Sequence, residues 1–322
     1  MEYRNLEQVS VLIIGYSRIS HIRNSINRLR TFGVENIFLA LDYSDDLKVR
    51  SEQQELVSEL SLWKMGSSKP VVVWHKTRNH GIGAGVISAL DWFFHYNIEG
   101  IILEDDLLFD EGFLDFCARA LEKYRNEKEV LMVSGDRFNA SLNGGRVAAT
   151  NYPQIWGWAT WRDKRFEIRN LITSEKKIRF RDLIKPNVCF FYAGARRVQI
   201  GIIDTWDLPL SYEMITRQKI CVLPDVNLVR NIGADKHAIH TTEIRFPMNF
   251  PIAKSSITQL PSLEEIESSI VESNVFLENK VFKIRSKHIL SPLKLWLQTL
   301  WSPRKPRKTL SQRLRESEKS HE

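Results

Sequence analysis

Three carboxylates stand side by side at Glu104-Asp105-Asp106, after the apolar run Gly100-Ile101-Ile102-Leu103 and before Leu107-Leu108-Phe109. Like charges this close repel by about 1 kcal/mol or more per pair where water is partly excluded. A divalent cation relieves that repulsion, and hard oxygen ligands suit Mg2+ or Mn2+. Such ions take one or two protein carboxylates and leave their other positions to water and phosphate, so the expected chemistry is the holding of a diphosphate. The competing reading is a solvated strand–loop junction, where acids are common. The buried strand before the triplet and the helix after it favour the cation.

The elements that must position these acids alternate along the N-terminal half. Val9–Gly15, Asn36–Leu41, Pro70–Trp74, Gly100–Leu103 and Val130–Ser134 are short apolar runs that read as buried strands. Between them His21–Phe32, Arg50–Leu62, Gly85–Tyr96 and Gly112–Tyr124 read as helices. This alternation predicts an α/β fold with a mostly parallel sheet flanked by helices, whose ligands gather beyond the carboxyl ends of the strands. Three strand ends carry polar groups: Tyr16-Ser17-Arg18, Asp42 and Glu104-Asp105-Asp106. No GxGxxG follows the first strand and no GxxxxGK[ST] occurs, which removes the main support for Rossmann dinucleotide and P-loop readings. Asn79-His80-Gly81-Ile82-Gly83-Ala84-Gly85 precedes a helix, and a glycine loop at a helix N-terminus suits a sugar or phosphate, or is simply a turn. Residues 135–175 read as irregular and aromatic-rich, and 176–250 as helix mixed with short strands.

Composition narrows the class. The 322 residues are 43% hydrophobic and 26% charged, an ordinary globular balance. No apolar run approaches the ~18 residues of a membrane span, and Met1-Glu2-Tyr3-Arg4 opens no secretory signal. Cys117, Cys189 and Cys221 are widely spaced, which suits buried thiols in a reducing compartment. Residues 280–322 hold twelve Lys/Arg against three Glu, leaving 34 basic and 36 acidic residues in 1–279. The body is near neutral, so nucleic-acid binding gets no support from charge.

Taken together, the apolar strand, acidic triplet and Phe-containing helix (IILEDDLLFDEGFLDF) resemble the metal-binding signature of GT-A fold glycosyltransferases, closest to the N-acetylglucosaminyltransferase I type. The order of GYSRISHIR, LALDYS, NHGIGAGVISALDWFF, WGWATW, IDTWDLPLSY and PDVNLVRNIGADKHAIHTT agrees, and WGWATWR with PDVNLVRNIG also resembles bacterial sugar transferases of that fold. The resemblance covers roughly residues 8–245. It implies a GT-A (Rossmann-like) fold with a basic C-terminal extension, in which Asp106 ligates Mn2+ or Mg2+ and Glu104 and Asp105 contact the donor ribose or sugar. It further implies that Arg18 faces the diphosphate and Asp42 the uracil or ribose, although Arg18 can also be a solvated first-turn helix residue and Asp42 a turn residue. Asp204 aligns best with the family's base and Asp207 is the alternate; either could instead cap a helix running to Thr216. Thr205 stands where the resembled Trp-Asp-Asp-Trp pattern has an acid.

Of Trp156, Trp158 and Trp161, Trp158 is the choice for a sugar-stacking wall, against ordinary packing. His80 is a donor contact within its glycine loop. His240, near Asp235 and His237, is expected to touch phosphate rather than zinc. The domain reading is a catalytic unit over 1–252, a helical extension over 253–301 and a disordered basic tail over 302–322. Ile289–Trp301 has the composition of an interfacial helix beside a polybasic stretch, against the plainer reading of a docked helix with a solvated tail. The expected activity is transfer of a sugar from a nucleotide-sugar, a UDP-sugar first, to a glycan or lipid-linked saccharide hydroxyl, with inversion. The expected place is the cytoplasm, peripherally at the inner face of the cell membrane. The alternatives are a sugar-1-phosphate nucleotidyltransferase, whose Gly-rich loop after the first strand GYSRISHIR lacks, and a non-catalytic glycan-binding module.

Overall fold

The computed structural model describes residues 6–62, 69–138, 147–224, 226–233, 251–253, 259–301 and 308–318. Its strands are β1 (Ser10–Gly15), β2 (Asn36–Leu41), β3 (Val72–His75), β4 (Glu99–Glu104), β5 (Leu107–Phe109), β6 (Val130–Ser134), β7 (Val147–Thr150), β8 (Trp158–Trp161), β9 (Ile220–Pro224) and β10 (Val229–Asn231). Seven helices alternate with them: α1 (Ile19–Thr31), α2 (Leu47–Leu62), α3 (Ile82–Tyr96), α4 (Glu111–Lys123), α5 (Arg162–Thr173), α6 (Pro186–Gln199) and α7 (Asp207–Arg217). Four more follow: α8 (Leu263–Glu267), α9 (Ile270–Phe276), α10 (Ser291–Trp301) and α11 (Leu310–Glu318).

Eight strands form one sheet in the order β3-β2-β1-β4-β8-β6-β9-β7, and β10 pairs with β5 in a separate ribbon. Within the sheet β8 runs antiparallel to both its neighbours and β7 antiparallel to β9, while the remaining pairings are parallel; the β5/β10 ribbon is antiparallel. The fold class is therefore the expected one, a mostly parallel Rossmann-like sheet flanked by helices. From β1 the chain steps outward to β2 and β3, then crosses back to add β4 on the other side of β1. At that reversal the loops leaving β1 and β4 diverge and open a crevice.

Alternation along each strand divides the interior. Val11 and Ile13 of β1 face one layer, packed with Ile22, Ile26 and Phe116, while Leu12 faces the other, packed with Ala84, Ile87 and Phe93. Both faces are covered, which is why the strands read as continuous apolar runs. β2 and β6 have the boundaries expected from sequence, and the other expected strands and helices of the N-terminal half shift by three residues or fewer. The stretch 135–175, expected to be irregular, contains β7, β8 and α5.

The C-terminal part is bound into the same body. Ile266 of α8 joins the core, Ser269 Oγ accepts from the Ala149 N–H at 2.9 Å, and Asn274 Oδ1 accepts from Thr150 Oγ1 at 2.7 Å. The tail expectation is corrected for residues 310–318, which form α11 against α3 instead of a disordered segment. Leu310 and Leu314 supply the reason: four residues apart on one helix face, they are 6% and 4% exposed and belong to the core, a pair hidden in a strongly polar average. The three cysteines are buried and unpaired. Among the described residues no helix is long and apolar enough to cross a membrane.

Candidate functional site

Strand register brings the polar strand ends together. Ile14 pairs with Glu104, Gly15 with Leu41, and Leu41 with His75, so the loops after β1, β2, β3 and β4 leave the sheet side by side. A cavity of about 540 Å³ lies over the β1/β4 reversal. Arg18, Asp42, Glu104, Asp105, Asp106 and Asp207 all line it, as do Asp204 and Trp156.

The acidic triplet is organised by the β1 loop and by β10. Arg18 Nη1 is 3.2 Å from Asp105 Oδ1 and 3.4 Å from Asp106 Oδ2, and its Nη2 donates to the Gly233 carbonyl at 3.1 Å. Asp105 Oδ2 also accepts from the Tyr16 N–H at 3.0 Å, so both its oxygens are engaged. Pairing of Asn231 with Leu107 brings the Asn231 amide to Asp106, where Nδ2 donates to Oδ1 at 3.2 Å. The same amide oxygen accepts from the Gly233 N–H at 2.8 Å. A Cβ on Gly233 would lie 2.1 Å from Asp106 Oδ2, so only glycine lets the backbone close over that carboxylate.

Burial, then the Asp106, Asp105 and Asp207 charges, push the Glu104 carboxyl well above its usual range, with Arg18 opposing. Burial and Asp105 push Asp106 upward against the pull of Arg18 and Asn231. Burial also raises Asp105, opposed by the Tyr16 N–H and by Arg18. Three carboxylates thus share one guanidinium, and the site carries two negative charges in excess when all are ionised. A divalent cation has the matching charge, so the donor set fits one. Glu104, and Asp106 through the lone pairs that Asn231 and Arg18 leave, are the residues that would hold it. Among the described residues no group of three or more His, Cys, Asp or Glu forms a ready metal cage. Two carboxylates with the remaining positions left to phosphate and water is the arrangement Mg2+ favours.

The opposite wall is different. Asp204 Oδ2 accepts from the Ile82 N–H at 3.1 Å, Oδ1 from the Gly83 N–H at 3.1 Å, and Arg313 Nη1 of α11 donates to Oδ2 at 2.9 Å. Asp204 therefore caps α3, a helix other than the one its sequence position suggests, and both its oxygens are committed. Gly81 (φ +80°) makes room for this: a Cβ there would lie 2.0 Å from Arg313 Nη1 and 2.1 Å from Asp204 Oδ2. Asp207 opens α7 and accepts from the Thr205 hydroxyl. Asp42 accepts from the Tyr43 N–H at 3.0 Å, and burial raises its carboxyl while Lys76, 3.9 Å away, pulls it down.

Two expected contacts are corrected. Trp158 is 1% exposed and stacks on Trp206 with ring centroids 5.6 Å apart, because β8 lies inside the sheet with both faces covered; the cavity wall is Trp156. His80 is buried off the cavity, contributing its carbonyl to Arg313 at 3.2 Å. His240, with Asp235 and His237, lies outside the described residues.

No family model matches the chain, and neither does any curated protein. Solved structures do match. One is HddC from Yersinia pseudotuberculosis, at 14% identity over 48% of this chain and 78% of that one, with a TM-score of 0.32. Another is a UDP-glucose pyrophosphorylase complexed with UDP-glucose, at 7% identity over 67% and 90%, TM-score 0.37. A third is an inositol-1-phosphate CTP transferase from T. maritima, at 9% identity over 67% and 85%, TM-score 0.35. None of the three is described as of the N-acetylglucosaminyltransferase I type. Likeness this faint assigns no activity.

Sequence reasoning missed Arg313, Asn231 and Lys76. For Asn231 a signal existed: the Asn227…Asn231 spacing lies in a quoted motif, and both amides clamp backbone, Asn227 through Nδ2 to the Val229 carbonyl at 2.6 Å. For Lys76 the signal was a cation directly after a strand end. Arg313 had none, being 109 residues from its partner.

Proposed function

We propose that the chain is a cation-dependent transferase acting on a nucleoside-diphosphate sugar, and that it moves the sugar to a hydroxyl of a glycan or lipid-linked saccharide. The observation that carries this reading is the excess of carboxylate charge at Glu104 and Asp106, beside Arg18, in the switch-point cavity. Mn2+ or Mg2+ bound there would supply the positive charge that a departing diphosphate requires. Arg18 holds Asp105 and the Gly233 backbone in place and adds a fixed cation beside the diphosphate. Trp156 offers an aromatic wall, and Asp42 an acceptor for the nucleoside.

Asp207 is the base in this reading, and Asp204 is not. Asp204 spends both oxygens on α3 and Arg313, whereas Asp207 lines the cavity close enough to Glu104 to raise its carboxyl. The Thr205 hydroxyl orients one Asp207 oxygen, leaving the other for an acceptor hydroxyl. One base and in-line displacement give inversion at the anomeric carbon.

The commitment of Asp204 also favours a second reading, sugar-1-phosphate nucleotidyl transfer, because a phosphate nucleophile is already ionised and needs no base. The UDP-glucose pyrophosphorylase and the inositol-1-phosphate CTP transferase lend this reading no further weight at such low similarity. A thermal-shift panel of nucleoside diphosphates and nucleotide-sugars, UDP-N-acetylglucosamine first, with and without Mn2+, tests the shared part. Product analysis separates the two: release of UDP on adding a saccharide acceptor supports glycosyl transfer, and formation of UTP on adding pyrophosphate supports the alternative. Absence of any nucleotide-dependent shift with Mn2+ sinks both.

A further inference from the structure

The outer face of α10 carries exposed apolar side chains. Leu295 is buried and fixes the helix against α6, where Arg197 Nη2 donates to Gln298 Oε1 at 3.2 Å. On the opposite side Leu290, Leu293, Trp296 and Leu297 are 50%, 52%, 58% and 42% exposed. Their spacing of three and four residues places them on one stripe pointing away from the body. A helix that only docks keeps its apolar residues inward; this one has apolar residues on both sides.

The charge around the stripe is of one sign. Between Glu278 and Glu316 the sequence has eleven Lys/Arg and no Asp or Glu, and of these Arg313 is paired with Asp204 and Lys308 with Glu316. Lys283, Arg285, Lys287 and Lys294, in the segment that leads into the stripe and along it, are all exposed. A groove of about 400 Å³ between α6 and α10 is lined by Arg197, Ile203, Leu208, Lys287, His288 and Lys294. Its lining combines cationic and aliphatic side chains, which suits a phosphate headgroup with the start of its acyl chains.

We propose that this face docks on an anionic phospholipid bilayer, with the Leu290/Leu293/Trp296/Leu297 stripe in the interfacial region and the flanking cations against the headgroups. Trp and Leu enter the boundary between headgroup and hydrocarbon, while basic side chains gain from the negative surface potential. Acid-free charge over so long a stretch complements a continuous anionic sheet, whereas the body of the protein is near neutral. The surface also adjoins the cavity. Ile203 lines the groove, and the next residues, Asp204 to Asp207, line the cavity, so one loop joins the two. That placement would present a lipid-linked acceptor to the site, a consequence that rests on the proposed function, whereas the docking itself does not.

Co-sedimentation of the full chain with vesicles of phosphatidylcholine alone and of phosphatidylcholine mixed with phosphatidylglycerol tests it. Binding is expected only with phosphatidylglycerol and is expected to weaken with salt. Leu293→Ser with Trp296→Ser should weaken it roughly tenfold, and Lys287→Glu with Lys294→Glu by at least as much. All four positions are exposed, so melting temperature should hold in both variants. Equal binding to neutral vesicles, no binding to either, unchanged binding by the variants, or a dimer that Leu293→Ser/Trp296→Ser dissociates would each overturn the inference. A retained Mn2+-dependent nucleotide shift alongside failed vesicle binding removes this inference alone; vesicle binding without that shift removes the functional reading alone.

Discussion

Two walls of one cavity handle carboxylates in opposite ways. At the end of β4, Glu104, Asp105 and Asp106 share Arg18 and remain short of positive charge, and the carboxyls are pushed upward. At the start of α3, Asp204 meets a guanidinium, two backbone amides and a helix N-terminus, and its demands are met within the chain. A carboxylate whose partners are complete is part of the architecture. A cluster whose charge the described residues leave in surplus, despite the cost of burying it, is the kind of group that a bound cation would complete. On the proposed reading Glu104 and Asp106 form the functional wall, while Asp105 and Asp204, whose oxygens are partnered, are struts, although all line the same space.

Substitutions can break this contrast. Asp106→Ala is expected to abolish the Mn2+-dependent part of the nucleotide thermal shift and to lower turnover by about a thousandfold or more, while the metal-free melting temperature holds or rises because one repulsive charge is gone. A normal metal-dependent shift in that variant would show that the cation, if any, is held elsewhere. Asp207→Asn should retain the shift and lower kcat by about 10²–10⁴-fold, the range for a lost general base. If Asp207→Asn turns over normally while Asp204→Asn does not, the two walls have been assigned the wrong way round.

Asp204→Ala and Arg313→Ala test the strut. Removing Asp204 uncaps α3 and leaves Arg313 without its carboxylate, so a loss of about 2 kcal/mol in unfolding free energy is expected, with donor binding little changed. Arg313→Ala should cost about 1 kcal/mol, since the pair is partly exposed and the α3 amides still hold Asp204. Chemical denaturation of both variants and of the double variant gives the coupling directly; an additive pair would mean the contact contributes nothing.

The functional wall was far more legible in the sequence than the strut. β1, β2 and β4 announce themselves as short apolar runs because both faces are covered, and polar residues at their carboxyl ends then have only one place to go. Arg18, Asp42 and the acidic triplet follow from that rule without any side-chain detail. The strut joins Ile82, Asp204 and Arg313, three distant segments whose meeting depends on how α11 docks, and no local pattern encodes it. β8 was hidden for another reason: Trp158-Ala159-Thr160-Trp161 is a strand by its pairing alone, between β4 and β6, and from sequence Trp158 looks like a wall for a sugar ring. The glycine loop Asn79–Gly85 suits a sugar or phosphate by sequence, or is simply a turn; in the structure the side-chain-free space at Gly81 is filled by Asp204 and Arg313.

Asp136 sharpens the contrast with the smallest effect, because among the described residues no cation opposes its burial. It is 2% exposed just beyond β6 and accepts from the Ser134 hydroxyl at 2.6 Å, and burial pushes its carboxyl up to about 7 from the ordinary 3.8, with hydrogen bonds from Ser134 and the Trp156 backbone opposing. The folded chain therefore binds this proton more tightly than the unfolded chain, and the stabilisation is present in full below about pH 4. It is lost progressively as pH rises from about 4 to about 7 and is constant above. Asp136→Asn, which stays neutral throughout, should flatten that part of the stability-versus-pH curve and raise stability relative to the parent at pH 8. If the parent and Asp136→Asn curves run parallel from pH 4 to 8, Asp136 is ionised in the folded protein. Some cation must then reach it, as Arg313 reaches Asp204.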